Sequence, residues 1–148
     1  MIAISRRRTI ASTPQAVWDV LADFGTIVIW AENVDHSCLL RSEGSATAIG
    51  TTRRIQAGRN TIVERIVEVD APHALAYDLE GFPPRVRHVR NRWTLVPAGD
   101  TATDVTLTSS VDLGPRPPQQ LAARILGTVL AKQSDVILAG LADHLEYR

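Results

Sequence analysis

The chain has 148 residues, of which 45% are hydrophobic and 22% are charged, a composition typical of one soluble domain with its own core. Sixteen basic residues balance sixteen acidic ones, which argues against nucleic acid as a partner and against binding to an anionic membrane. We expect a single domain over residues 1–148, no signal peptide, no membrane insertion and a cytoplasmic location.

The first third of the sequence predicts one strand, two short helices and a second strand. Ser12 or Thr13 can cap a helix with Pro14 in its first turn, where proline costs no hydrogen bond. The expected elements are a strand over 2–10, a helix from Pro14 to Gly25, a short helix over 26–31 and a strand over 35–41.

The middle of the sequence predicts five further strands. Short runs of apolar and polar residues are separated by turns rich in glycine, proline, asparagine and aspartate. The last run alternates most regularly, with Val105, Leu107 and Val111 on one face. The predicted strands cover residues 50–56, 61–69, 75–80, 86–96 and 101–113.

A long helix is predicted over 119–147, which contains no proline and follows the proline-rich segment 114–118. Residues at every fourth position are expected to form one apolar stripe that packs on the sheet. The stripe consists of Leu121, Ile125, Val129, Gln133, Ile137, Leu141 and Leu145. A twisted sheet that wraps such a helix is expected to leave a hollow between them, and the functional site is predicted there.

Four segments, 12–21, 49–53, 63–72 and 92–97, resemble the START, Bet v 1 and polyketide-cyclase superfamily, abbreviated SRPBCC. The resemblance implies an α+β helix-grip fold: a seven-stranded antiparallel sheet wrapped around a long C-terminal helix, with two short helices after the first strand. The chain looks most similar to small bacterial proteins labelled polyketide cyclase/dehydrase. Members of the superfamily differ widely in activity, so the fold alone does not identify the function.

Plant abscisic-acid receptors share this fold and suggest which residues face the hollow. By position, His36 matches a cavity lysine of the receptors and Glu64 matches a cavity glutamate. Val105, Leu107 and Ser109 match positions that line the receptor cavity, although Leu107 replaces an acidic residue. The resemblance therefore implies an internal pocket, while hormone signalling is not expected.

The strand next to the last one should present Val89, Asn91 and Trp93 to the same side as Val105 and Leu107. Asn91 would then be a polar group within an apolar row. A buried amide needs partners, so Asn91 either bonds a neighbouring side chain or water, or it waits for a ligand.

Two titratable residues are candidates for acid–base chemistry. His36 is a candidate because histidine is the residue type best suited to acid–base catalysis near neutral pH, but it could equally be a surface residue at the start of a strand. The alternation of strand 61–69 leaves open whether Glu64 faces inward. If it does, Arg53 on the adjacent strand is its natural partner, and the ion pair could be structural or catalytic.

The remaining predicted ligand contacts are Trp30 and Tyr77 in the pocket walls, and Gln133 and Ile137 on the long helix. No metal or cofactor is expected, because the four histidines lack the spacing of a metal site and no dinucleotide or phosphate-binding motif is present. Cys38 has no partner for a disulfide and is predicted to be a small core residue.

Three functions remain open from the sequence. The first is binding of a lipid-like, polyketide-like or aromatic molecule in an internal cavity. The second is a polyketide cyclase/dehydrase that uses His36 and Glu64 as an acid–base pair. The third is a regulatory or toxin-like interaction protein, in which Gly127, Ala131 and Gly140 permit close packing onto the sheet or onto another subunit. The chain is expected to be a monomer or a homodimer.

Overall fold

The computed structural model describes residues 1–42, 44–45 and 47–147. One seven-stranded sheet in the order β1-β7-β6-β5-β4-β3-β2, antiparallel throughout, wraps around a long C-terminal helix. This confirms the predicted helix-grip fold. The elements are β1 Ile2–Ile10, α1 Pro14–Ala22, a 3-10 helix Phe24–Ile29, β2 His36–Arg41, β3 Thr52–Ala57, β4 Asn60–Asp70, β5 Ala74–Glu80, β6 His88–Pro97, β7 Thr103–Asp112 and α2 Pro117–Glu146.

The two short helices follow β1 as their capping residues predict. Thr13 is the N-cap of α1, and its side-chain oxygen accepts a hydrogen bond of 3.2 Å from the backbone N–H of Ala16. Pro14 occupies the first turn, where its missing N–H leaves nothing unsatisfied. The chain then enters the 3-10 helix, which carries Trp30 to the interior at its C-terminal end.

Helix α2 packs on one edge of the sheet, over β1 and β7. Its buried face in this region consists of small residues, Ala123, Gly127 and Ala131. A Cβ atom on Gly127 would lie 2.8 Å from Cδ1 of Ile4 on β1, so the absence of a side chain is what allows this close approach. Helix α2 therefore covers the β1–β7 edge, while the 3-10 helix contacts β2 and β3 at the opposite edge.

Gly140 makes a second close approach, near the other end of α2. A Cβ atom built there would collide with the backbone carbonyl oxygen of Trp30. Gly127 and Gly140 therefore serve packing inside the domain, as the sequence allowed, and are not available for contact with another subunit.

The predicted apolar stripe on α2 is wrong over its first half. Leu121, Ile125 and Val129 are 61%, 61% and 51% exposed, whereas Leu141 and Leu145 are buried as expected. The reason is helical geometry: a step of four residues turns about 400°, so each step drifts about 40° around the helix. Over the seven residues of the predicted stripe this rotation adds up, so that Leu121, Ile125 and Val129 face solvent while Leu141 and Leu145 face the core.

The interior below α1 is densely packed, apart from a space of about 10 Å³ beside Trp30 and Trp93. Trp93 and Leu107 are 1% and 0% exposed, and Trp30 contacts Trp93 edge to face with 6.2 Å between the ring centroids. The predicted alternation of β7 is confirmed, because Val105, Leu107 and Val111 are fully buried on one face. The space between the sheet and the helices therefore has no room for a ligand at this end.

The outer face of the sheet is a polar surface held by cross-strand ion pairs. Arg90 on β6 donates two hydrogen bonds to the Asp78 carboxylate. Arg92 on the same strand donates two to the Glu68 carboxylate. A further pair joins Arg65 to a neighbouring strand, through Glu80 on β5. The arginine-rich segment before and within β6 is thus largely part of a solvated face and not of a continuous basic stripe.

Two further expectations need correction or qualification. Cys38 is exposed and does not belong to the core, because it lies on the edge strand β2, whose side chains are largely solvent-facing. Helix α2 is also long and apolar enough to cross a bilayer by length and composition, since an 18-residue window within it has a mean hydropathy of 1.4. Core helices of soluble proteins pass the same test, so this is weak evidence for a membrane span.

We predict that Gly140→Ala destabilises the protein by about 1–3 kcal/mol, because the new methyl group meets a backbone carbonyl that has little freedom to move. In an exposed helix the same change would stabilise by about 1 kcal/mol, so the sign of the effect identifies the collision. Urea unfolding measures it. The exposed substitution Arg124→Ala on the same helix serves as the control and should change stability little; a Gly140→Ala variant as stable as the wild type would contradict the packing described here.

Candidate functional site

A cavity of about 250 Å³ lies beyond the packed end, between α2, the inner face of the sheet and the segment that follows the 3-10 helix. Most of its lining is apolar, contributed by Ile27, Val34, Ile55, Ala57, Ile62, Leu79, Phe82, Leu126, Val129, Leu130 and Ile137. The polar lining residues are Asn33, Asn60, Glu64, Tyr77, Asn91, Ser109, Gln133 and Ser134. An apolar cavity of roughly 150 Å³ suffices to hold benzene, so this one can take a larger guest.

A buried ion pair forms part of the inner wall. Strand pairing places Arg53 of β3 opposite Glu64 of β4, and both side chains point inward. The Arg53 Nε donates to Glu64 Oε1 at 2.7 Å, and Nη2 lies 2.7 Å from the same oxygen. Arg53 Nη1 donates to the carbonyl oxygen of Phe24 at 2.9 Å. The structure confirms the predicted pairing and resolves which face of β4 is internal.

Two aromatic rings, which also contact each other edge to face, lie against the Arg53 guanidinium. Its central carbon lies 3.8 Å from the centroid of the Phe24 ring and 4.8 Å from that of the Tyr77 ring. These cation–π contacts add to the hydrogen bonds and fix the orientation of the guanidinium plane. Arg53 is therefore directed at Glu64 and at the protein interior, and it does not itself line the cavity.

Burial perturbs the titration of two cavity residues. Desolvation raises the pKa of Glu64 above its usual value, and the charge and hydrogen bonds of Arg53 offset part of that rise. Burial also raises the pKa of Tyr77, with the Glu64 carboxylate adding to the effect. The Tyr77 phenol therefore stays neutral at physiological pH and keeps its proton.

A short hydrogen-bond network runs along the wall next to this pair. The indole Nε1 of Trp93 donates to the phenol oxygen of Tyr77 at 3.1 Å, and the nearby Asn91 amide lowers the pKa of that phenol, which offsets part of the rise from burial. The Ser109 hydroxyl donates to Asn91 Oδ1 at 2.7 Å. Of the two possibilities left open for Asn91, the structure shows that it bonds neighbouring side chains.

The cavity mouth, defined by the exposed lining residues Asn60, Val129 and Gln133, opens beside α2. Across one side of it, Asn33 Nδ2 donates to Gln133 Oε1 at 2.8 Å. The other amide atom, Asn33 Oδ1, is buried and has no hydrogen-bond partner. A buried acceptor without a partner is costly, which makes Asn33 a site where a ligand donor would be favoured.

The structure divides the predicted ligand contacts into two groups. Those that line the cavity are Glu64, Tyr77, Asn91, Ser109, Gln133 and Ile137. Those that lie in the packed core or behind the wall are Trp30, Arg53, Val89, Trp93, Val105 and Leu107, all of them buried. The second group faces inward as expected. Trp30, Trp93, Val105 and Leu107 lie at the packed end, whereas Val89 lies beyond Asn91 on β6 and Arg53 lies behind the cavity wall.

His36 does not lie in the cavity, so the structure does not bring His36 and Glu64 together as an acid–base pair. His36 is exposed at the start of β2. The alternation of the strand turns its neighbour Ser37 inward instead, where the hydroxyl donates to the Gly25 carbonyl at 2.7 Å and accepts from the Val28 N–H at 3.1 Å. The expected cavity position of His36 is corrected accordingly.

Several lining residues were not predicted from the sequence. Ile62 shares the inner face of β4 with Glu64, so the alternation would have identified it once the face was known. Leu126 and Leu130 lie one turn apart on α2, near Gln133, and their spacing also carried a signal. Asn33 lies in a connecting segment without periodicity, so no sequence signal marks it. Within the described part of the chain, no cluster of three metal-ligating side chains is present.

Comparisons with known proteins agree with this architecture. A family model described as "Polyketide cyclase / dehydrase and lipid transport" matches residues 1–146. The Zhui aromatase/cyclase from Streptomyces sp. R1128 is a similar structure, with a TM-score of 0.80 and 20% identity over 99% of this chain and 94% of that one. The sequence matches no curated protein.

Two further solved structures show the same fold. A Thermobifida fusca protein has a TM-score of 0.80 and 28% identity, covering 98% of this chain and 93% of that one. A START superfamily protein from Mycobacterium smegmatis has a TM-score of 0.74 and 14% identity, covering 97% of this chain and 98% of that one. At these identities the likeness to the aromatase/cyclase and to the START protein concerns the fold.

We predict that Arg53→Met destabilises the protein by about 3–5 kcal/mol, because it leaves the Glu64 carboxylate buried without a cation. Adding Glu64→Leu should recover a large part of that loss, since the double variant holds no uncompensated charge. Urea unfolding of the two single variants and the double variant measures the coupling. Losses that simply add would show that the two side chains do not depend on each other.

Proposed function

Because the chain belongs to the polyketide cyclase/dehydrase and lipid transport family, we propose that it binds a hydrophobic small molecule in the cavity between α2 and the sheet. The single observation that carries this proposal is the volume of about 250 Å³, which remains open although the opposite end of the grip is densely packed. A well-formed apolar cavity with a few polar groups is the usual form of a small-molecule site.

Affinity would come mainly from the apolar walls. Each Å² of apolar surface removed from water contributes roughly 25 cal/mol, so even a two-ring guest gains several kcal/mol before the cost of losing its freedom of motion. Polar groups would set the orientation of the guest. Glu64 and Tyr77 lie on the inner wall, whereas Asn33 and Gln133 lie near the mouth.

We expect the protein to bind N-phenyl-1-naphthylamine, a neutral apolar fluorophore whose emission rises on transfer from water to an apolar site. Ala57→Phe adds a ring to the cavity lining and should weaken this binding by about tenfold or more. Fluorescence titration measures both affinities. Ala98→Phe, in the turn after β6, is the matched control and should leave the affinity unchanged.

Equal affinities for wild type and Ala57→Phe would place the fluorophore outside this cavity. Circular dichroism and urea unfolding of the two phenylalanine variants verify that neither has lost its fold. No fluorescence change with the wild-type protein would contradict the proposed function itself.

A cyclase/dehydrase reaction is the second candidate. The observation that favours it is a carboxylate of raised pKa, Glu64, on a cavity wall beside a neutral phenol, Tyr77. In an aldol closure, the carboxylate would remove a proton from the carbon between two carbonyl groups. The resulting carbon nucleophile would attack a second carbonyl, whose oxygen receives a proton from the phenol, and loss of water would follow. His36 has no part in this scheme because it lies outside the cavity.

If the protein is a cyclase, turnover of a short poly-β-ketone mimic should fall by about 100-fold or more in Glu64→Gln and in Tyr77→Phe. Turnover should also fall as the pH drops through the pKa of Glu64, since the base must be ionised. Product formation followed by liquid chromatography measures the rates. Glu80→Gln, on the outer face, is the control; wild-type rates in both cavity variants would exclude this mechanism.

A further inference from the structure

The charge of the cavity wall is unbalanced, which restricts the guests that fit it. Among the described residues that line the cavity, Glu64 is the one with an acidic or basic side chain, and its ion pair with Arg53 favours the ionised carboxylate. The other polar lining groups are amides, hydroxyls and a phenol, all of them neutral. A guest therefore meets a carboxylate, together with neutral donors and acceptors.

The cation closest to this carboxylate is already engaged. Arg53 directs Nε and Nη2 at Glu64 Oε1 and Nη1 at the Phe24 carbonyl oxygen, and its planar face is covered by aromatic rings. It is 3% exposed and does not line the cavity. An anionic guest consequently finds no guanidinium or ammonium group on the described cavity wall.

Three polar atoms on the wall have capacity for a guest. Both close contacts of Arg53 go to Glu64 Oε1, which leaves Oε2 able to accept. The Trp93 indole can only donate, and Asn91 lowers the pKa of Tyr77 as a donor to the phenol oxygen does, so the phenol hydrogen is free to be donated elsewhere. Asn33 Oδ1 is a buried acceptor without a partner.

We propose that the cavity selects neutral apolar molecules that carry a hydroxyl group and discriminates against carboxylates of the same size. The hydroxyl donates its hydrogen to Glu64 Oε2 and accepts one from the Tyr77 phenol. A second hydroxyl on the same guest donates to Asn33 Oδ1. This inference rests on the proposed function, because it specifies the chemistry of the ligand that the cavity binds.

The physical reason for the discrimination is the repulsion between two carboxylates in a poorly solvated site. Such a pair cannot remain doubly ionised without cost, so either the guest or Glu64 must take up a proton. A neutral hydroxyl avoids this cost and supplies the donor that an ionised carboxylate lacks. Fatty-acid anions are therefore poor guests, whereas an alcohol or a phenol of similar shape is a good one.

Three naphthalenes of nearly equal size test this on the unmodified protein. Calorimetric titration at about pH 7.5, where a phenol remains neutral, compares 2-naphthol, 2-methoxynaphthalene and 2-naphthoate. We expect 2-naphthol to bind tightest, the methyl ether about three- to tenfold more weakly, and 2-naphthoate at least about tenfold more weakly than 2-naphthol. This comparison does not depend on whether any variant folds.

The variants identify the residues responsible. In Glu64→Gln the preference for 2-naphthol over 2-naphthoate should shrink by about tenfold, because the like charge is gone. Arg53→Met combined with Glu64→Gln removes both charges and tests the same point if the single variant is too unstable. Glu80→Gln, on the outer face, should keep the wild-type preference. Naphthalene-2,6-diol should bind tighter than 2-naphthol, and Asn33→Leu should abolish that gain.

The possible outcomes separate this inference from the proposed function. If all three naphthalenes bind with equal affinity, the selection fails while the cavity function stands. Tightest binding of 2-naphthoate, or an unchanged preference in Glu64→Gln, also overturns the selection. If none of the three binds and N-phenyl-1-naphthylamine does not bind either, the proposed function fails and this inference fails with it.

Discussion

The close contact between α2 and the β1–β7 edge of the sheet determines where this protein has space. Small residues on the buried face of the helix, above all Gly127 against Ile4, let α2 approach that edge. A helix held at one edge cannot also cover the centre of a curved seven-stranded sheet. The inner face beyond β6 is covered by the flank of α2, by the 3-10 helix and by the segment that follows it, and the cavity lies beneath them.

The same arrangement explains why the two ends of the grip differ. At one end α1 and the 3-10 helix bring Trp30 onto Trp93, and the large rings fill the interior. At the other end most of the facing residues are aliphatic or polar, such as Ile62 and Ser109, and the walls do not meet. Packing density is therefore set locally by side-chain volume within one continuous fold.

The Arg53–Glu64 pair lies at the boundary between these two ends. Burying two charges is costly, and a pair in this position adds little net stability compared with apolar residues of similar volume. The ion pair contributes to a binding site by fixing an orientation. Because Phe24 and Tyr77 hold Arg53 in place, its hydrogen bond orients the Glu64 carboxylate at the cavity wall. A polar group with a fixed orientation can discriminate among ligands that the apolar walls alone would bind with equal affinity.

The sequence by itself determined the order of the elements and the inward row on β7, because these follow from local periodicity, caps and turn residues. The helix-grip class came from the resemblance of four segments to a known superfamily. The sequence also identified Arg53 and Glu64 as partners, since adjacent strands leave few possible pairings. What only the tertiary structure decided is which residues meet across the fold. The four-residue series on α2 misplaced Leu121 and Ile125, because the orientation of a helix is set by the neighbours on which it packs. His36 and Asn33 show the same limit. His36 faces solvent and Asn33 lines the cavity, but no pattern along the chain distinguishes the two residues. The reason is that burial depends on contacts between residues far apart in sequence.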